Sequence, residues 1–274
     1  MADAKKRTPE VVTKRSAKPA RATKAKVPTA KRAKAPVERE REEAFERVLV
    51  RGRVSYAKDL RVERALRVYD ELEKLYPEPR CELDYDTPFQ LLIAVILSAQ
   101  TTDKRVNSIA PALFGAYPDA RALAGANLFD LREILRPIGF FRAKARAIRT
   151  TAKYLVKHHG GEVPRTMAEL VKLQGVARKT ANVVLGEAFG IAEGIAVDTH
   201  VARVAQRLGL TRGGTIRRME LDLMELTPRE RWAKDHLRLV LFGRYRCVAR
   251  SPKCEGCPLR GACFAPEAQH DSSP

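Results

Sequence analysis

Long apolar runs are absent from this 274-residue sequence. The longest covers residues 91–97, far short of the roughly 20 residues that a helix needs to cross a bilayer. No secretory apolar segment follows Met1, so we expect a cytoplasmic protein without membrane contact, in a reducing compartment. Such a compartment disfavours disulfides, and the five cysteines therefore need another explanation.

Acidic residues are also scarce. The chain has 33 Asp and Glu against 52 Lys and Arg, which gives a formal net charge of +19. An excess of this size indicates a polyanionic partner, and without a membrane segment it favours nucleic acid. For a bacterial protein, this predicts association with the nucleoid.

The positive charge is concentrated in residues 1–36, where twelve basic residues stand against Asp3 and Glu10. This stretch has four prolines and no aromatic residue, so it cannot build a core. We therefore predict a basic, largely disordered N-terminal extension over residues 1–58, which would attract DNA through counterion release. A solubilising tail or a targeting peptide is the alternative.

Strict alternation of apolar and polar residues, the pattern of half-buried strands, is rare in this chain. Apolar residues recur at helical spacing instead, which predicts an all-α protein with short connections. Thr87 and Pro88 mark the start of a helix that is apolar almost all round, and we place it at the centre of a core. Other predicted helices cover residues 120–125, 127–136, 142–158, 166–172, 179–189, 199–208, 215–226 and 228–242.

Four of the five cysteines lie in the segment CVARSPKCEGCPLRGAC. Cys247, Cys254, Cys257 and Cys263 have the spacing C-x6-C-x2-C-x5-C. Four thiolates so close together in a reducing compartment indicate a metal site. Zinc sites usually show two close pairs separated by a longer loop, whereas only the middle pair is close here. The spacing favours a [4Fe–4S] cluster, with zinc as the alternative.

Basic residues surround these cysteines, and they could balance a negatively charged cluster or bind phosphates. They are Arg244, Arg246, Arg250, Lys253 and Arg260. We predict phosphate contacts for Arg250 and Lys253. Cys81 lies far from this segment, and we interpret it as a small buried apolar residue.

A second group of candidate residues begins in LQGVARKTANVVL, residues 173–185. Predicted helix 166–172, a turn at Gly175 and predicted helix 179–189 form a helix–hairpin–helix whose free N–H groups can bind a phosphate. Lys179 stands at the second helix start beside Arg178. A positive helix end, Arg178 and partial burial would all favour a neutral, nucleophilic amine. On this stretch alone, a solvated lysine on a basic face is the simpler interpretation.

Asp198 follows the apolar residues 195–197 and precedes a predicted helix, so it is a candidate N-cap. It lies 19 residues after Lys179, and the intervening chain is long enough to return to the start of the hairpin's second helix. A carboxylate there could accept the lysine's proton or face a positive charge developing on a sugar. A cap and a catalytic carboxylate can be one residue.

Taken together, LLIAVILSAQTTD, LQGVARKTANVVL, GIAVDTHVARV and FGRYRCVARSPKCEGCPLRGAC resemble the endonuclease III family, in the same order and over residues 60–264. Its members are helix–hairpin–helix DNA glycosylases with AP-lyase activity and a [4Fe–4S] loop. The resemblance implies two helical domains. A six-helix barrel bearing the hairpin would cover residues 81–192, and an iron–sulfur cluster domain would pair 59–80 with 193–266, followed by a flexible tail at 267–274.

The resemblance also implies a substrate and a mechanism. A monomer would bind double-stranded DNA containing damaged pyrimidines or abasic sites in the cleft between the domains. Lys179 would attack C1′ of a nucleotide flipped out of the duplex, assisted by Asp198, and the Schiff base would promote β-elimination. The cluster would have a structural or redox-tuning role. The implied DNA contacts are Gln100, Phe140, Gly175, Val176, Ala177, Arg178, Arg250 and Lys253.

Three positions depart from the family pattern. The hairpin carries Gln174 and Ala177 where the family usually has proline and a second glycine, and if position 177 needs a positive φ, alanine there costs on the order of 1 kcal/mol. The wedge position, usually leucine, is Phe140, whose ring could stack on the orphaned base. The loop before Asp198 is slightly lengthened. Gln100 matches the glutamine that fills the gap left by the flipped base, although a plain helix cap would also explain it.

Two alternatives to a bifunctional glycosylase remain at this stage. A mismatch adenine glycosylase shares the fold, but it normally lacks a lysine at position 179 and carries a further C-terminal domain. A DNA-binding or iron–sulfur redox protein without catalysis is the other alternative, and the pairing of Lys179 with Asp198 argues against it.

Overall fold

The structure is a computed structural model that describes residues 54–265, with side chains from residue 60 onward. The predicted tail at 267–274 and residues 1–53 of the predicted extension lie outside the described residues. The first helix begins at Val54, so the last part of that extension is helical and not disordered.

The part of the chain that the structure describes is all-α, as predicted, and within it no residue forms a strand. Its α-helices are α1 Val54–Leu75, α2 Pro88–Leu97, α3 Asp103–Asn107, α4 Ala110–Ala116, α5 Ala120–Gly125, α6 Leu128–Leu135, α7 Phe141–His159, α8 Met167–Leu170, α9 Arg178–Phe189, α10 Thr199–Arg207, α11 Ile216–Leu226 and α12 Trp232–Tyr245. Short 3-10 turns cover Arg229–Arg231 and Arg260–Ala262. Of the helices in residues 54–265, none combines the length and apolarity that a membrane crossing requires.

The start of α2 is as the sequence predicts. The Thr87 hydroxyl accepts the backbone N–H of Gln90 at 3.2 Å, and Pro88 occupies the first turn. Every residue from Phe89 to Leu97 is buried, so this helix runs through the centre of a core. It packs against α9, the helix that carries Lys179.

Two predicted helices differ from those observed. Predicted helix 228–242 is a 3-10 turn followed by α12, because the Trp232 indole N–H donates to the Thr227 carbonyl at 2.8 Å and fixes a bend before α12 begins. Predicted helix 166–172 shortens to the single turn α8, capped by Thr166.

Two separate apolar cores organise the helices. The first draws its buried residues from Leu83 to Leu185 and contains α2 to α9. The second combines Ala65–Leu72 of α1 with residues between Ile195 and Leu259. In this second core α1 packs against α11 and α12, and α10 packs against α12. Residues from near both ends of the described chain therefore build one core.

Ion pairs also join these elements. Arg238 is 1% exposed and pairs with Asp235 on its own helix and with Glu73 on α1. Between the two cores, Arg244 of α12 pairs with Glu82 and with Asp103, the latter at 2.6 Å. The first set fixes α1 to α12, and the second fixes α12 to the first core.

Candidate active site

Lys179 is the second residue of α9, and its side chain is exposed. The N-cap residue, Ala177, makes no side-chain hydrogen bond, so the N–H groups of the first turn are left without a side-chain acceptor. They and the helix dipole make this end of α9 positive. The partial burial expected for Lys179 is wrong for the protein without DNA.

The hairpin turn needs glycine at one position and not at the other. Gly175 has φ +86°, and a Cβ atom there would lie 3.1 Å from Cγ2 of Ile96 on α2. Ala177 is extended, with φ −89° and ψ 170°. Alanine adopts this conformation without strain, so the energetic cost considered for position 177 does not arise. Val176 is 6% exposed, so its side chain is buried, and a DNA contact at this position would be made by its backbone.

Arg178 turns into the protein. Its Nε donates to both carboxylate oxygens of Glu220, at 2.9 and 3.0 Å, and its Nη2 donates to the Glu193 carbonyl at 3.2 Å. The sequence predicts that the charge of Arg178 acts on the adjacent Lys179 or contacts DNA. In the structure, the Arg178 guanidinium is instead paired with the Glu220 carboxylate. Glu220 neutralises this guanidinium within the protein.

Glu220 is 4% exposed and collects three partners, since Arg217 and Asn182 also donate to it, at 2.7 and 2.9 Å. We call Glu220, Arg178, Arg217 and Asn182 the Glu220 hub. Burial of Glu220 opposes its ionisation, but the hydrogen bonds from these three partners and the charge of Arg178 outweigh burial and hold its pKa below the usual value. Sequence reasoning missed Glu220, because an acidic residue on an amphipathic helix is normally solvent-facing.

The loop before Asp198 packs directly on the Glu220 hub. A Cβ atom at Gly194 would lie 2.2 Å from Oε1 of Glu220 and 2.8 Å from Nδ2 of Asn182, so glycine is required by close approach. The hub thus connects the start of α9 with the segment that leads to Asp198.

Asp198 is the N-cap of α10, as predicted. Its Oδ1 accepts the backbone N–H groups of His200 and Val201, both at 2.8 Å. Both bonds end on the same oxygen, which leaves Oδ2 for another partner. The cap therefore fixes the carboxylate without using all of its acceptor capacity.

His236 on α12 is the third member of the site, and sequence reasoning missed it. Its buried ring interacts electrostatically with both Lys179 and Asp198. Burial lowers the pKa of His236 to about 4, although Asp198 and a backbone hydrogen bond with Ala196 favour the protonated ring. The ring is therefore neutral at physiological pH. Lys179 at the start of α9 and Asp198 at the start of α10 are thus both near enough to this histidine to influence its charge.

Gln100 and Phe140 form a separate exposed pair. Both have a positive φ, +55° and +57°, which among non-glycine residues of the described chain is shared only by Ser251. The C-cap of α2 is Ser98, so the interpretation of Gln100 as a plain helix cap is wrong. A Cβ atom at Gly139 would lie 3.9 Å from the Gln100 carbonyl, which shows that the two loops adjoin.

The four clustered cysteines line a single cavity beside Phe242 and Leu259. Burial and the nearness of the other three thiols raise the pKa of Cys263. Among the described residues, no three His, Cys, Asp or Glu side chains are arranged to hold one metal ion. Four sulfurs around one cavity fit a group of several metal atoms, whose iron atoms compensate the charge of the thiolates.

Arginine side chains contact this cysteine loop in ways that the sequence predicts only in part. Arg207 of α10 donates to Sγ of Cys247 at 3.4 Å and to the Val248 carbonyl at 2.8 Å, and it was not expected there. Arg250 and Lys253 are exposed on the loop, as phosphate contacts would require. Arg244 is not available to the cysteines, because it pairs with Glu82 and Asp103.

Cys81 lies apart from this cavity and packs against the first core. It is partly buried, and burial raises the pKa of its thiol to about 11. This environment agrees with the interpretation of Cys81 as a small apolar residue and disfavours a reactive thiolate.

Comparison with known proteins decides the family. Residues 93–229 match the model of the HhH-GPD superfamily base excision DNA repair protein, and residues 247–263 match the iron-sulfur binding domain of endonuclease III. Endonuclease III of Synechocystis sp. is 50% identical over 207 residues, which cover 76% of this chain and 94% of that protein. The chain belongs to the endonuclease III family.

Solved structures of the family agree. A trapped endonuclease III–DNA covalent intermediate is 46% identical with a TM-score of 0.68, covering 71% of this chain and 92% of that chain. A non-covalent endonuclease III–DNA complex is 45% identical with a TM-score of 0.71, covering 74% and 94%. The protein is therefore a DNA glycosylase and AP lyase of base excision repair. Its cofactor is a [4Fe–4S] cluster, and the zinc alternative is wrong.

Proposed function

We propose that this enzyme removes oxidised pyrimidines from double-stranded DNA and nicks the strand at the abasic site, with Lys179 as nucleophile and Asp198 as its partner. The observation that carries the proposal is that Lys179 and Asp198, at the starts of α9 and α10, both act electrostatically on the buried His236. The likeness to a trapped endonuclease III–DNA covalent intermediate supports a covalent route. The acceptor capacity left on Asp198 supports its assignment as the assisting carboxylate.

The chemistry would follow from an amine and a carboxylate that act on the same sugar. Docking on DNA would cover the exposed Lys179 and bring its amine to the sugar. Its Nζ lone pair then forms a bond to C1′ while the C1′–N bond breaks and the base leaves with that electron pair and a proton. Asp198 stabilises the positive charge that develops on the sugar. Opening of the sugar ring gives the Schiff base, which acidifies the C2′ proton and promotes β-elimination of the 3′ phosphate.

The DNA would lie across both cores. The free N–H groups at the start of α9 and the backbone of the Gly175 turn would hold one phosphate, and Arg250 and Lys253 would hold others. Gln100 and Phe140 would enter the space that the flipped nucleotide leaves. Arg178 has its guanidinium on Glu220, so we assign it to orientation of the helix start.

The cysteine loop would place the cluster at the end of α10 opposite to Asp198. Cys247, Cys254, Cys257 and Cys263 would ligate it, and when bound it supplies a rigid structural centre with redox chemistry but no hydrolysis. Lys179 and Asp198 belong to one chain, so we propose that the enzyme works as a monomer. Its DNA substrate would place it with the nucleoid in a bacterial cell.

Borohydride trapping tests the proposal. The wild-type protein should form a covalent complex with duplexes that contain an abasic site or thymine glycol, and Lys179→Gln should abolish it. Lys172→Gln is a matched control, because Lys172 is an exposed lysine paired only with Glu169 on the neighbouring turn. Trapping that persists in Lys179→Gln would contradict the assignment of the nucleophile.

A further inference from the structure

Two neighbouring loops have a backbone conformation that non-glycine residues rarely adopt. Gln100 follows the end of α2, and Phe140 is the N-cap of α7. Both residues lie in the left-handed region, with φ near +55°. Such conformations persist only where the surrounding structure enforces them, and they often mark functional positions. Contacts with other residues are therefore needed to keep both loops in this conformation.

Lys144 contacts both of them. It lies in the first turn of α7, where its backbone N–H donates to the Phe140 carbonyl at 3.0 Å. Its Nζ donates to the Thr101 hydroxyl at 2.5 Å. Thr101 directly follows Gln100, and its Oγ1 lies 4.0 Å from the position of a Cβ atom at Gly139. The Lys144 side chain thus joins the residue after Gln100 to the first turn of α7, the helix whose N-cap is Phe140.

Lys144 is a buried lysine whose amine is hydrogen-bonded to a neutral hydroxyl, so its burial is not expected to stabilise the fold. Its side chain is 7% exposed, whereas the other basic residues of the first turns of α7, Arg142 and Arg146, are exposed. Among the described residues, no carboxylate lies within 4.0 Å of the Lys144 amine. Burial lowers the pKa of Lys144, as expected for an ammonium group removed from water without a counter-charge. Lysine is among the side chains least often buried without a charged partner.

We propose that Lys144 and Thr101 form a strap that holds Gln100 and Phe140 in the geometry required for entry into the DNA base stack. Lys144 is then a positioning residue for nucleotide flipping. The inference rests on the proposed function, in which Gln100 and Phe140 occupy the gap left by the flipped nucleotide. Without the strap, both loops relax toward negative φ, and the two side chains no longer enter the duplex together.

The strap is expected to affect nucleotide flipping and not bond breaking, and these two steps can be measured separately. The cluster-loaded, full-length enzyme is mixed with a thymine-glycol duplex that carries 2-aminopurine next to the lesion, whose fluorescence rises on unstacking. Lys144→Met should reduce that rise and slow single-turnover excision by about tenfold or more, since a small misplacement is costly. Trapping at an abasic site in an unpaired loop, where no partner base has to be displaced, should change less than about twofold.

Three further variants identify the strap. Thr101→Val should reproduce the defect, and the double variant should be no worse than either single one, because both remove the same contact. Lys144→Arg keeps a donor and should recover most of the flipping. Lys153→Met is the control, since Lys153 is exposed on the same helix.

Two results would overturn the inference while the wild-type enzyme remains active. One is normal 2-aminopurine fluorescence with Lys144→Met, and the other is an equal loss of flipping and of trapping in the unpaired loop, which would indicate general damage to the fold. A wild-type enzyme that neither excises nor traps would overturn the proposed function, and this inference with it.

Discussion

Nε of Arg178 lies 2.9 and 3.0 Å from the two carboxylate oxygens of Glu220, a residue 42 positions further along the chain. This contact fixes the residue immediately before Lys179 to α11. It also places a buried carboxylate behind the positive end of α9, on the side away from solvent. The start of α9, which carries Lys179, is therefore held from the second core, although α9 belongs to the first.

Glu220→Gln should lower the single-turnover excision rate more than it lowers DNA affinity, because it loosens the helix start without removing a phosphate contact. We expect a loss of about 2 kcal/mol in the free energy of unfolding, since two partly exposed arginines lose their buried partner. Chemical unfolding and excision kinetics measure the two effects. Glu230→Gln, at an exposed position, is the control. Wild-type kinetics in Glu220→Gln would mean that the Glu220 hub has no role in orienting Lys179.

Asp198→Asn should separate the cap from the catalytic role. Asparagine caps helices about as well as aspartate, so the melting temperature should stay close to that of the wild type. The neutral amide no longer stabilises positive charge, and excision should fall by about a hundredfold or more. Asp119→Asn changes the matching cap of α5, whose Oδ1 accepts the Ala122 N–H at 2.8 Å, and should leave excision intact. Equal activity of the two variants would exclude Asp198 from catalysis.

The two hairpin positions should respond in opposite ways to exchange of glycine and alanine. Gly175→Ala meets both the positive φ and the nearby Ile96, so we expect a loss of about 1–2 kcal/mol in stability and weaker DNA binding. Ala177→Gly restores the residue usual in the family, yet it should change DNA affinity by less than about twofold, because Ala177 is already unstrained. Binding titrations at one fixed salt concentration give both values. A large gain in affinity for Ala177→Gly would refute this view of the hairpin.

His236 should make the fold sensitive to acid. Its pKa is about 4 in the folded state and near 6.5 in the unfolded chain, so the unfolded state binds the proton first as the pH falls. Stability should therefore decrease from pH 7 downward, by about 2 kcal/mol at pH 5 relative to pH 8 from this residue alone. Unfolding curves at pH 8, 6.5 and 5 should show a smaller decrease for His236→Asn than for the wild type. The exposed His158→Asn should follow the wild type, and identical pH profiles for His236→Asn and wild type would contradict the prediction.

The four cysteines of the cavity should bind the iron–sulfur cluster, whereas Cys81 should not. Cys257→Ser should lose iron and the broad visible absorption of the cluster, because Cys257 lines the cavity shared by four thiols. Cys81→Ser should retain both, since Cys81 packs against the first core. Iron content per chain and the absorption spectrum measure the difference. Full iron loading of Cys257→Ser would remove this residue from the ligand set.

The sequence predicts those parts of the site that depend on local chemistry. Asp198 is recognisable as a cap because it precedes an apolar helix, and Gly175 as a turn residue because a short apolar loop precedes a helix. The cysteine spacing is equally local. Each of these signals is contained within about 17 residues, and each corresponds to an observed feature.

The parts that the sequence does not predict depend on contacts between distant helices. Glu220 and His236 look like ordinary helix residues until the fold buries them beside α9. The direction of Arg178 is decided by the same burial, because a carboxylate out of water attracts it more strongly than solvent does.

The second core has a consequence for synthesis on the ribosome. Its α1 is made first, but the helices that cover its apolar face, α11 and α12, are made last. All residues of the first core are synthesised before α11. The first core can therefore fold while the apolar face of α1 is still uncovered. The second core, against which Cys247, Cys257 and Cys263 pack, is complete only when α1, α11 and α12 have all been translated. A polypeptide that stops early therefore exposes α1, which offers a hydrophobic surface to chaperones and proteases.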